Sequence, residues 1–260
     1  MKPIELYINQ LITGDAIEIL KNIPDNSVDL IVTDPPYNLG KNYGNNIDEK
    51  EWNEYEAFTL NWLKESCRVL KDTGSILVFM GVRFISRLFL LLEQELKLRF
   101  NGWITWHYTQ GMGRKKGFSP RHEDILYFTK SNIFTFNLDA IRVPQKYFRK
   151  RNNMNGANPG DVWQFSHVHY CNKKRENHPT QKPEALMERI ILSCSNEDDI
   201  ILDPFMGSGT TCRVAQVLNR KYIGIDINPK YTFLAGERLN KAFEGFDSRD
   251  DRMLRNTLDL

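Results

Sequence analysis

Cysteines and long apolar runs are both scarce in this 260-residue sequence. Its four cysteines are scattered without a C-x-x-C pair, which argues against a disulfide framework and against a zinc knuckle. The longest apolar stretch, residues 84–98, contains four charged side chains. It is therefore too interrupted for a membrane span, which needs roughly 18 apolar residues. The first residues lack the apolar segment of a signal peptide. We expect a cytoplasmic protein with no membrane partner.

Net charge is also small, formally +2, but it is unevenly distributed. Residues 107–175 hold thirteen lysines and arginines against four acidic residues, so the rest of the chain is acidic. Two tracts in this region, 110–117 and 149–160, combine cations with glycine or asparagine, and aromatic rings lie beside the first at Tyr108 and Phe118. Cations, mobile backbone and flat rings together suit a phosphate backbone with exposed bases. The charge pattern therefore favours nucleic-acid contact over an ordinary surface loop.

Histidine and cysteine side chains between residues 167 and 178 form a possible metal-ligand set. His167, His169 and Cys171 alternate along the chain, which places them on one side of an extended segment, and His178 follows. No fourth ligand stands at a spacing known for metal sites. We therefore predict no metal, and interpret the segment as a polar loop or a phosphate-contacting face.

The first 106 residues predict alternating helices and strands. A short helix begins after Asp15, a predicted N-cap, with Glu18 in the position of a capping-box glutamate. Apolar periodicity then predicts strands at 28–32 and 75–80, helices at 54–70 and 84–96, and a further strand at 103–106. This order predicts an α/β fold with a doubly wound, mostly parallel sheet.

The regular pattern returns after residue 177. Pro183 is suited to the first turn of a helix that runs to about Cys194. A strand at 200–203, a helix to about residue 218, a strand at 222–226 and a helix from Asn228 follow, so the end of the chain is predicted to add a βαβ unit to the sheet.

The residues Asp34-Pro35-Pro36-Tyr37 directly follow the predicted buried strand at 28–32. Neither proline can donate a hydrogen bond to a neighbouring strand, so the chain leaves the sheet and holds the acid and the ring at its carboxyl edge, where α/β sheets bind ligands. The carboxylate and the Pro35 carbonyl are acceptors, and the tyrosine offers a flat face. Together they fit a planar ring bearing an amino group and stabilise the positive charge that develops on its nitrogen during alkylation. A simple turn that caps a helix is the alternative.

A second motif, Asp-Pro-Phe-Met-Gly-Ser-Gly-Thr at 203–210, lies between a predicted strand and a helix N-terminus. Such a turn presents backbone N–H groups and the positive end of a helix dipole to an anionic group. Asp226 ends the next strand, close to where an acid binds ribose hydroxyls. The pattern predicts a site for a nucleoside with a small carboxylate tail. No lysine precedes Thr210, so a P-loop is disfavoured.

The two motifs together resemble the S-adenosylmethionine-dependent DNA amino-methyltransferases, in particular their β class. In that class a catalytic Asp-Pro-Pro-Tyr comes first, then a target-recognition region, then a His-Pro-Thr-Gln-Lys-Pro segment, present here at 178–183, and last the glycine-rich cofactor loop. The resemblance implies a Rossmann-like methyltransferase sheet. Its catalytic half is expected at 1–106, a target-recognition insertion at 107–177, the cofactor-binding half at 178–245 and a charged tail at 246–260.

The resemblance also implies roles for individual residues. The flipped base would contact Asp34, Pro35, Pro36 and Tyr37. S-adenosylmethionine would be held by Asp15, Thr180, Lys182, Asp203, Phe205, Gly207, Ser208, Gly209, Thr210 and Asp226. Of these, Thr180 and Lys182 would lie near its methionyl end and Asp15 near its adenine. DNA would be contacted by Arg114, Lys115, Lys116, Arg121, Arg149, Lys150 and Arg151.

The activity implied is transfer of a methyl group to N6 of adenine in a specific sequence of double-stranded DNA. Base flipping is required because the amino group is buried in the duplex stack, and transfer is a direct in-line displacement. The family implies a homodimer. A restriction endonuclease would share the target site without stable contact, unless the enzyme is solitary.

Three alternatives stay open. Cytosine-N4 methylation uses the same chemistry, but family members of that kind usually carry serine at the position of Asp34. Protein-glutamine and some RNA methyltransferases resemble the motif with asparagine first and lack the basic insertion. A catalytically silent DNA-binding module of the same fold is disfavoured by the intact motifs.

Overall fold

A computed structural model describes residues 2–41, 49–108, 113–145, 155–168 and 175–245 of the chain. The strands are β1 Gln10–Thr13, β2 Val28–Thr33, β3 Leu70–Met80, β4 Arg99–His107, β5 His122–Thr129, β6 Val162–Gln164, β7 Ile200–Asp203 and β8 Lys221–Asp226. The helices are α1 Ala16–Leu20, α2 Trp52–Val69, α3 Ile85–Leu90, α4 Glu184–Cys194, α5 Thr210–Val217 and α6 Pro229–Asn240. A π-helix, Leu91–Glu95, continues α3.

All eight of these strands form one sheet in the order β1-β8-β7-β2-β3-β5-β4-β6. Neighbours from β1 to β3 run parallel, as do β4 and β6, and only β5 is antiparallel to the strands beside it. The predicted doubly wound, mostly parallel sheet is confirmed. The order places β2, which precedes Asp34, directly beside β7, which ends at Asp203.

The core lies on both faces of this sheet because β2 buries alternate side chains in opposite directions. Ile31 packs in a cluster with side chains of α1, α2 and α3, whereas Leu30 and Val32 pack in a cluster with side chains of α4 and α5. Each of these three side chains is fully buried. The central strand is thereby held from both sides, which fixes the position of the turn that follows it.

Local capping explains where two helices begin. The Asp15 carboxylate accepts a hydrogen bond from the Glu18 backbone N–H at 3.1 Å, as the sequence predicts for an N-cap. At α6, the Asn228 side chain accepts from the Lys230 N–H at 3.0 Å, with Pro229 in the first turn. Both caps lie at the carboxyl edge of the sheet, beside the ends of β1 and β8, so the same residues order the edge where the site forms.

Three strands were not predicted. β1 is short and only partly buried, so its apolar pattern is weak. β5 and β6 lie within residues 107–177, the proposed target-recognition insertion, yet both extend the catalytic sheet. The division of the chain at residues 107 and 177 therefore stays a prediction. In space, β5 lies between β3 and β4, two strands of the predicted catalytic half. In the part of the chain that the structure describes, no helix is long and apolar enough to cross a membrane.

Candidate active site

A cavity of about 330 Å³ opens at the carboxyl ends of β2, β7 and β8. Its size is that of a small-molecule site. Most of the predicted catalytic and cofactor residues line it: Asp15, Asp34, Pro36, Thr180, Lys182, Asp203, Phe205, Gly207, Ser208, Thr210 and Asp226. Pro35, Tyr37 and Gly209 are not among the lining residues. The two motifs, 170 residues apart in the chain, are joined where the Thr33 hydroxyl donates to the Asp203 carboxylate at 2.9 Å. The fold therefore brings the two motifs together at one cavity.

The turn after β2 is rigid because its groups are tied to neighbouring elements. The Tyr37 hydroxyl donates to Asp34 Oδ1 at 2.6 Å, and the Tyr55 hydroxyl on α2 donates to the Pro36 carbonyl at 2.6 Å. No donor among the described residues reaches the Pro35 carbonyl oxygen. Pro35 thus keeps the acceptor that the sequence analysis assigned to it, whereas the Pro36 carbonyl is already bonded.

A lysine and a second carboxylate complete this site. Lys182 Nζ lies 2.5 Å from Asp34 Oδ2 and 3.2 Å from Glu123 Oε2. Glu123 Oε2 is also 3.2 Å from the Tyr37 hydroxyl. The lysine side chain is only 7% exposed, so this cation is buried between two carboxylates. The family resemblance predicts Lys182 near the methionyl end of the cofactor, whereas no sequence motif identifies Glu123.

Burial and charge set the proton affinities of this cluster. Burial raises the pKa of Asp34, and the Lys182 ammonium only partly offsets this effect. Burial also disfavours the charged form of Glu123, but Lys182, His167 and the Tyr37 hydroxyl together bring its pKa below the usual value. The pKa of Lys182 is raised because its two carboxylate partners outweigh its burial. A proton that enters the cluster will therefore reside on Asp34 before Glu123.

Asp203 serves the architecture of the cofactor loop. Its two oxygens accept from Thr33, from the Thr211 hydroxyl at 2.7 Å and from the Phe205 N–H at 3.1 Å. Burial raises its pKa to about 7, although these hydrogen bonds act against the rise. Asp226 accepts from the Gly207 N–H at 3.0 Å and from the Asn228 N–H at 2.7 Å. Both acids line the cavity and hold the loop that surrounds it.

The two loop glycines are required by packing. Both have positive φ, +50° at Gly207 and +73° at Gly209. A Cβ at Gly207 would lie 2.7 Å from the His178 imidazole, and one at Gly209 would lie 2.6 Å from the Ala235 side chain on α6. The family resemblance predicts that both glycines hold the cofactor. The structure shows a further requirement for glycine at each position, namely contact with His178 and with α6.

A buried ion pair lies behind the same loop. Arg238 on α6 donates to Thr210 Oγ1 at 2.8 Å, to the Ser208 carbonyl at 3.2 Å and to Glu184 Oε1 at 2.6 Å. The two charged side chains are 4% and 8% exposed. Ser208 and Thr210 are predicted cofactor residues, but each also accepts a hydrogen bond from Arg238. Nothing local in the sequence distinguishes Arg238 from a surface arginine of α6.

His178 and Thr180 also line the cavity, and His178 packs against the loop at Gly207. His178 Nδ1 accepts from the Thr180 N–H at 3.3 Å, and its ring packs edge-on against Tyr231 at a centroid distance of 4.5 Å. Burial, reinforced by nearby Lys182, lowers its pKa to about 3, so the imidazole is neutral. His167 instead contacts the rings of Trp106 and Tyr108. His169 and Cys171, the remaining members of the histidine and cysteine set, lie outside the described residues.

The predicted DNA-contacting residues fall into two groups. Arg114, Lys115 and Lys116 are exposed on the segment that leads into β5, and Arg121 is half-buried beside the start of that strand. Phe118, between them, is 98% exposed. The segment ends two residues before Glu123 of the active site. Arg149, Lys150 and Arg151 lie outside the described residues.

The cavity suits S-adenosylmethionine by the chemistry of its walls. Acids stand at separate points, Asp226 at the end of β8 and Asp34 at the end of β2, and the aromatic ring of Phe205 and the side chain of Ile227 supply apolar surface between polar groups. Carboxylates suit ribose hydroxyls and a sulfonium cation, and the apolar surface suits a purine. A doubly wound sheet with these two motifs in one cavity defines a Rossmann-like methyltransferase.

Comparison with known proteins agrees with this class. A family model for N6 and N4 DNA methylases matches residues 28–237. The chain is 60% identical over 252 residues to the type II methyltransferase M.HpaI of Haemophilus parainfluenzae, which covers 96% of this chain and 80% of that protein. It is 40% identical over 245 residues to the DNA adenine methyltransferase YhdJ of Escherichia coli, covering 89% and 83% respectively. The chain belongs to the N6/N4 DNA methylase family.

Solved structures place the fold in the same group. The complex of M1.HpyAVI with S-adenosylmethionine is 30% identical, with a TM-score of 0.67 over 89% of this chain and 99% of that one. The cytosine-N4-specific PvuII DNA methyltransferase, 21% identical with a TM-score of 0.75 over 91% and 88%, shares the fold. The chain is thus a DNA methyltransferase, and S-adenosylmethionine is its methyl donor.

Proposed function

We propose that this enzyme methylates N6 of adenine in a specific sequence of double-stranded DNA. The observation that carries the proposal is the Asp34 carboxylate in the wall of the cavity, followed in the chain by the Pro35 carbonyl and held beside the loop 203–210 by the bond from Thr33 to Asp203. An aspartate in this position matches the adenine-specific members of the family. The relative YhdJ, named a DNA adenine methyltransferase, supports the same base.

The reaction needs an amino group that is both exposed and electron-rich. The adenine must leave the duplex to reach a cavity of this shape. Asp34 and Pro35 then accept the two N6 hydrogens, and Tyr37 stacks on the ring. Hydrogen bonds from a conjugated amino group to two acceptors favour the pyramidal nitrogen that attacks. They also stabilise the positive charge that grows on N6.

S-adenosylmethionine supplies a methyl group activated by a sulfonium. The N6–C bond forms as the C–S bond breaks, and the electron pair of the broken bond stays on sulfur. N6 is left with a positive charge and releases one proton. Asp34 is the group placed to accept it, because burial raises its pKa and it already contacts N6. None of the protein's side chains forms a covalent bond to the base.

The test of the reaction is methyl transfer from labelled S-adenosylmethionine into unmethylated bacterial genomic DNA, followed by nucleoside analysis of the digest. We expect the label in N6-methyladenine. Label in N4-methylcytosine would show that the cavity accepts the smaller base, and absence of label from DNA would contradict the proposal. Asp34→Ala protein serves as the blank.

Residues 107–177 are proposed to read the target sequence, with the exposed segment 113–121 on the DNA. Support comes from its three successive cations, its exposed ring and its direct connection to β5 at the active site. Exposed cations contribute affinity through phosphates, and an exposed ring contributes through stacking on a base.

These two contributions are separable by mutation. The double variant Lys115→Ala/Lys116→Ala is expected to reduce the slope of log affinity against log salt by roughly 2, since each phosphate contact contributes about 0.9. Phe118→Ala is expected to weaken binding about tenfold without changing that slope, because stacking releases no counterions. Titration of labelled duplex DNA at several salt concentrations measures both. An unchanged slope in the lysine variant would remove this segment from the DNA interface.

The oligomeric state, the counterpart enzyme and the cellular location that we propose for this protein come from the family resemblance. The chain is proposed to act in the cytoplasm as a homodimer. A restriction endonuclease that recognises the same site, without stable contact, is proposed as its counterpart. Sedimentation of the purified chain with and without DNA measures the oligomeric state.

A further inference from the structure

Glu123 occupies a position in the active site that neither sequence motif assigns. It lies near the start of β5, the strand inserted between β3 and β4, whereas Asp34 and Tyr37 belong to the turn after β2. Its side chain is 20% exposed, and its Oε2 atom is 3.2 Å from both Lys182 Nζ and the Tyr37 hydroxyl. The same two donors are bonded to Asp34. Glu123 is thus a second acceptor for Tyr37 and Lys182, the two side chains of the described residues that donate to Asp34.

This arrangement poses a problem for the reaction. Tyr37 contacts one oxygen of Asp34 and Lys182 contacts the other, so both oxygens are engaged before a base arrives. A tyrosine hydroxyl has one hydrogen and can donate it to only one acceptor at a time. An ammonium 2.5 Å from a carboxylate also withdraws the negative charge that the N6 hydrogens are to meet. Each Asp34 oxygen keeps a further lone pair and can still accept a hydrogen bond, but the carboxylate would bind the N6 hydrogens more strongly without these two donors.

We propose that Glu123 is a positioning residue that receives Tyr37 and Lys182 when the target adenine binds, and so frees Asp34 to accept from N6. This inference rests on the proposed function. The move is short, because both donors already lie at 3.2 Å from Glu123 Oε2. Lys182 keeps a carboxylate partner throughout, so a buried cation is never left unpaired. The cluster of two carboxylates and one ammonium carries a net negative charge, which also complements a sulfonium.

The proton affinities agree with this division of roles. Glu123 has a lowered pKa, so it stays ionised and can pair with the Lys182 ammonium, whereas the pKa of Asp34 is raised. The titratable groups that face the pair are Tyr37, Tyr108, Lys182, His167 and Asp203. Tyr37 and Tyr108 have raised pKa values and Lys182 keeps its proton, so none of these three changes charge near neutral pH. The pKa of His167 is lowered, mainly by burial.

The key variant is Glu123→Gln, which keeps the size of the side chain and removes its charge. Lys182 is then left with Asp34 alone, so the single-turnover rate at its pH plateau is expected to fall at least 30-fold. The affinity for labelled S-adenosylmethionine in equilibrium dialysis is expected to stay within threefold. Because Glu123 raises the pKa of Asp34, its neutralisation lowers that pKa. The acidic limb of the rate profile, where the Asp34 carboxylate is lost, is therefore expected to move to lower pH even as the plateau falls.

A second substitution isolates the cause. Adding Lys182→Met to Glu123→Gln removes the cation that holds Asp34, so the plateau rate is expected to rise at least tenfold above that of Glu123→Gln alone. Glu123→Asp keeps the charge and is expected to recover part of the rate. Glu18→Gln, which removes one charge from an exposed pair with Lys21, is the matched control and is expected to match the unaltered enzyme.

Three outcomes would overturn the inference. They are a Glu123→Gln rate within threefold of the unaltered enzyme, a loss of cofactor affinity in proportion to the rate, and a further fall in rate when Lys182→Met is added. Nucleoside analysis of the same reactions separates this inference from the proposed function. Label in cytosine would mean that the enzyme methylates a different base from the one proposed. The rates of the Glu123 variants would still show whether Glu123 positions Tyr37 and Lys182.

Discussion

Substitution of Asp34 by alanine is expected to lower methyl transfer by about 10²–10³-fold, the loss typical of removing one group that stabilises transition-state charge. Binding of S-adenosylmethionine is expected to survive. The cofactor loop is fixed by Asp203, Asp226 and Arg238, whose hydrogen bonds do not involve Asp34. Lys182 keeps Glu123 as a partner, so the substitution leaves no unpaired buried cation. Transfer of label to DNA and equilibrium dialysis of the cofactor measure the two effects.

The control for this prediction is Asp25→Ala, which removes a carboxylate from an ion pair with Arg68 away from the cavity. It is expected to retain both transfer and cofactor binding. Loss of cofactor binding together with transfer in Asp34→Ala would contradict the separation of the two motifs. Retained transfer would remove Asp34 from the chemistry altogether.

Arg238→Met is expected to cost about 3–5 kcal/mol in the free energy of unfolding, because it removes the cation from a buried ion pair with Glu184. The cofactor loop also loses the donor that holds Ser208 and Thr210, so cofactor affinity is expected to fall with stability. Denaturant titration, with and without S-adenosylmethionine, measures both.

Lys241→Met, next to the end of the same helix, is the matched control. Lys241 is 59% exposed and paired with Glu176, so its loss is expected to cost less than about 1 kcal/mol. The double variant Arg238→Met/Glu184→Gln removes both charges and is expected to regain part of the stability. A cost for Arg238→Met no larger than that for Lys241→Met would show that the pair does not support the loop.

The elements that the sequence predicts correctly carry strong local signals. The caps at Asp15 and Asn228 and the apolar runs of β2, β7 and β8 each act over a few neighbouring residues, so composition and spacing are sufficient. The catalytic turn and the cofactor loop also have distinctive motifs. Their convergence in one cavity follows from the parallel order of strands.

The partners that complete the site carry no such signal. Glu123 and Arg238 are ordinary charged residues in the sequence, and their importance comes from which strand or helix the fold places beside them. β5 enters the sheet between two earlier strands, a pairing that apolar periodicity does not specify. Lys182 does lie in a recognisable motif, but its contact with Asp34 spans 148 residues and is likewise not specified by any local pattern. Long-range pairing, decided by the packing of the complete sheet, is the information that local patterns lack.

The pairing of β1 with β8 has a consequence for folding. Gln10 lies opposite Ile223, so one of the first strands to be synthesised finds its partner only when the last has left the ribosome. Loops of this length are slow to close, and contacts distant in sequence slow folding. Since β7 and β8 end at Asp203 and Asp226, two acids that line the cavity, a chain that has not yet reached β8 has neither this sheet nor this cavity. The proposed methyl transfer therefore becomes available only after β8 has been synthesised.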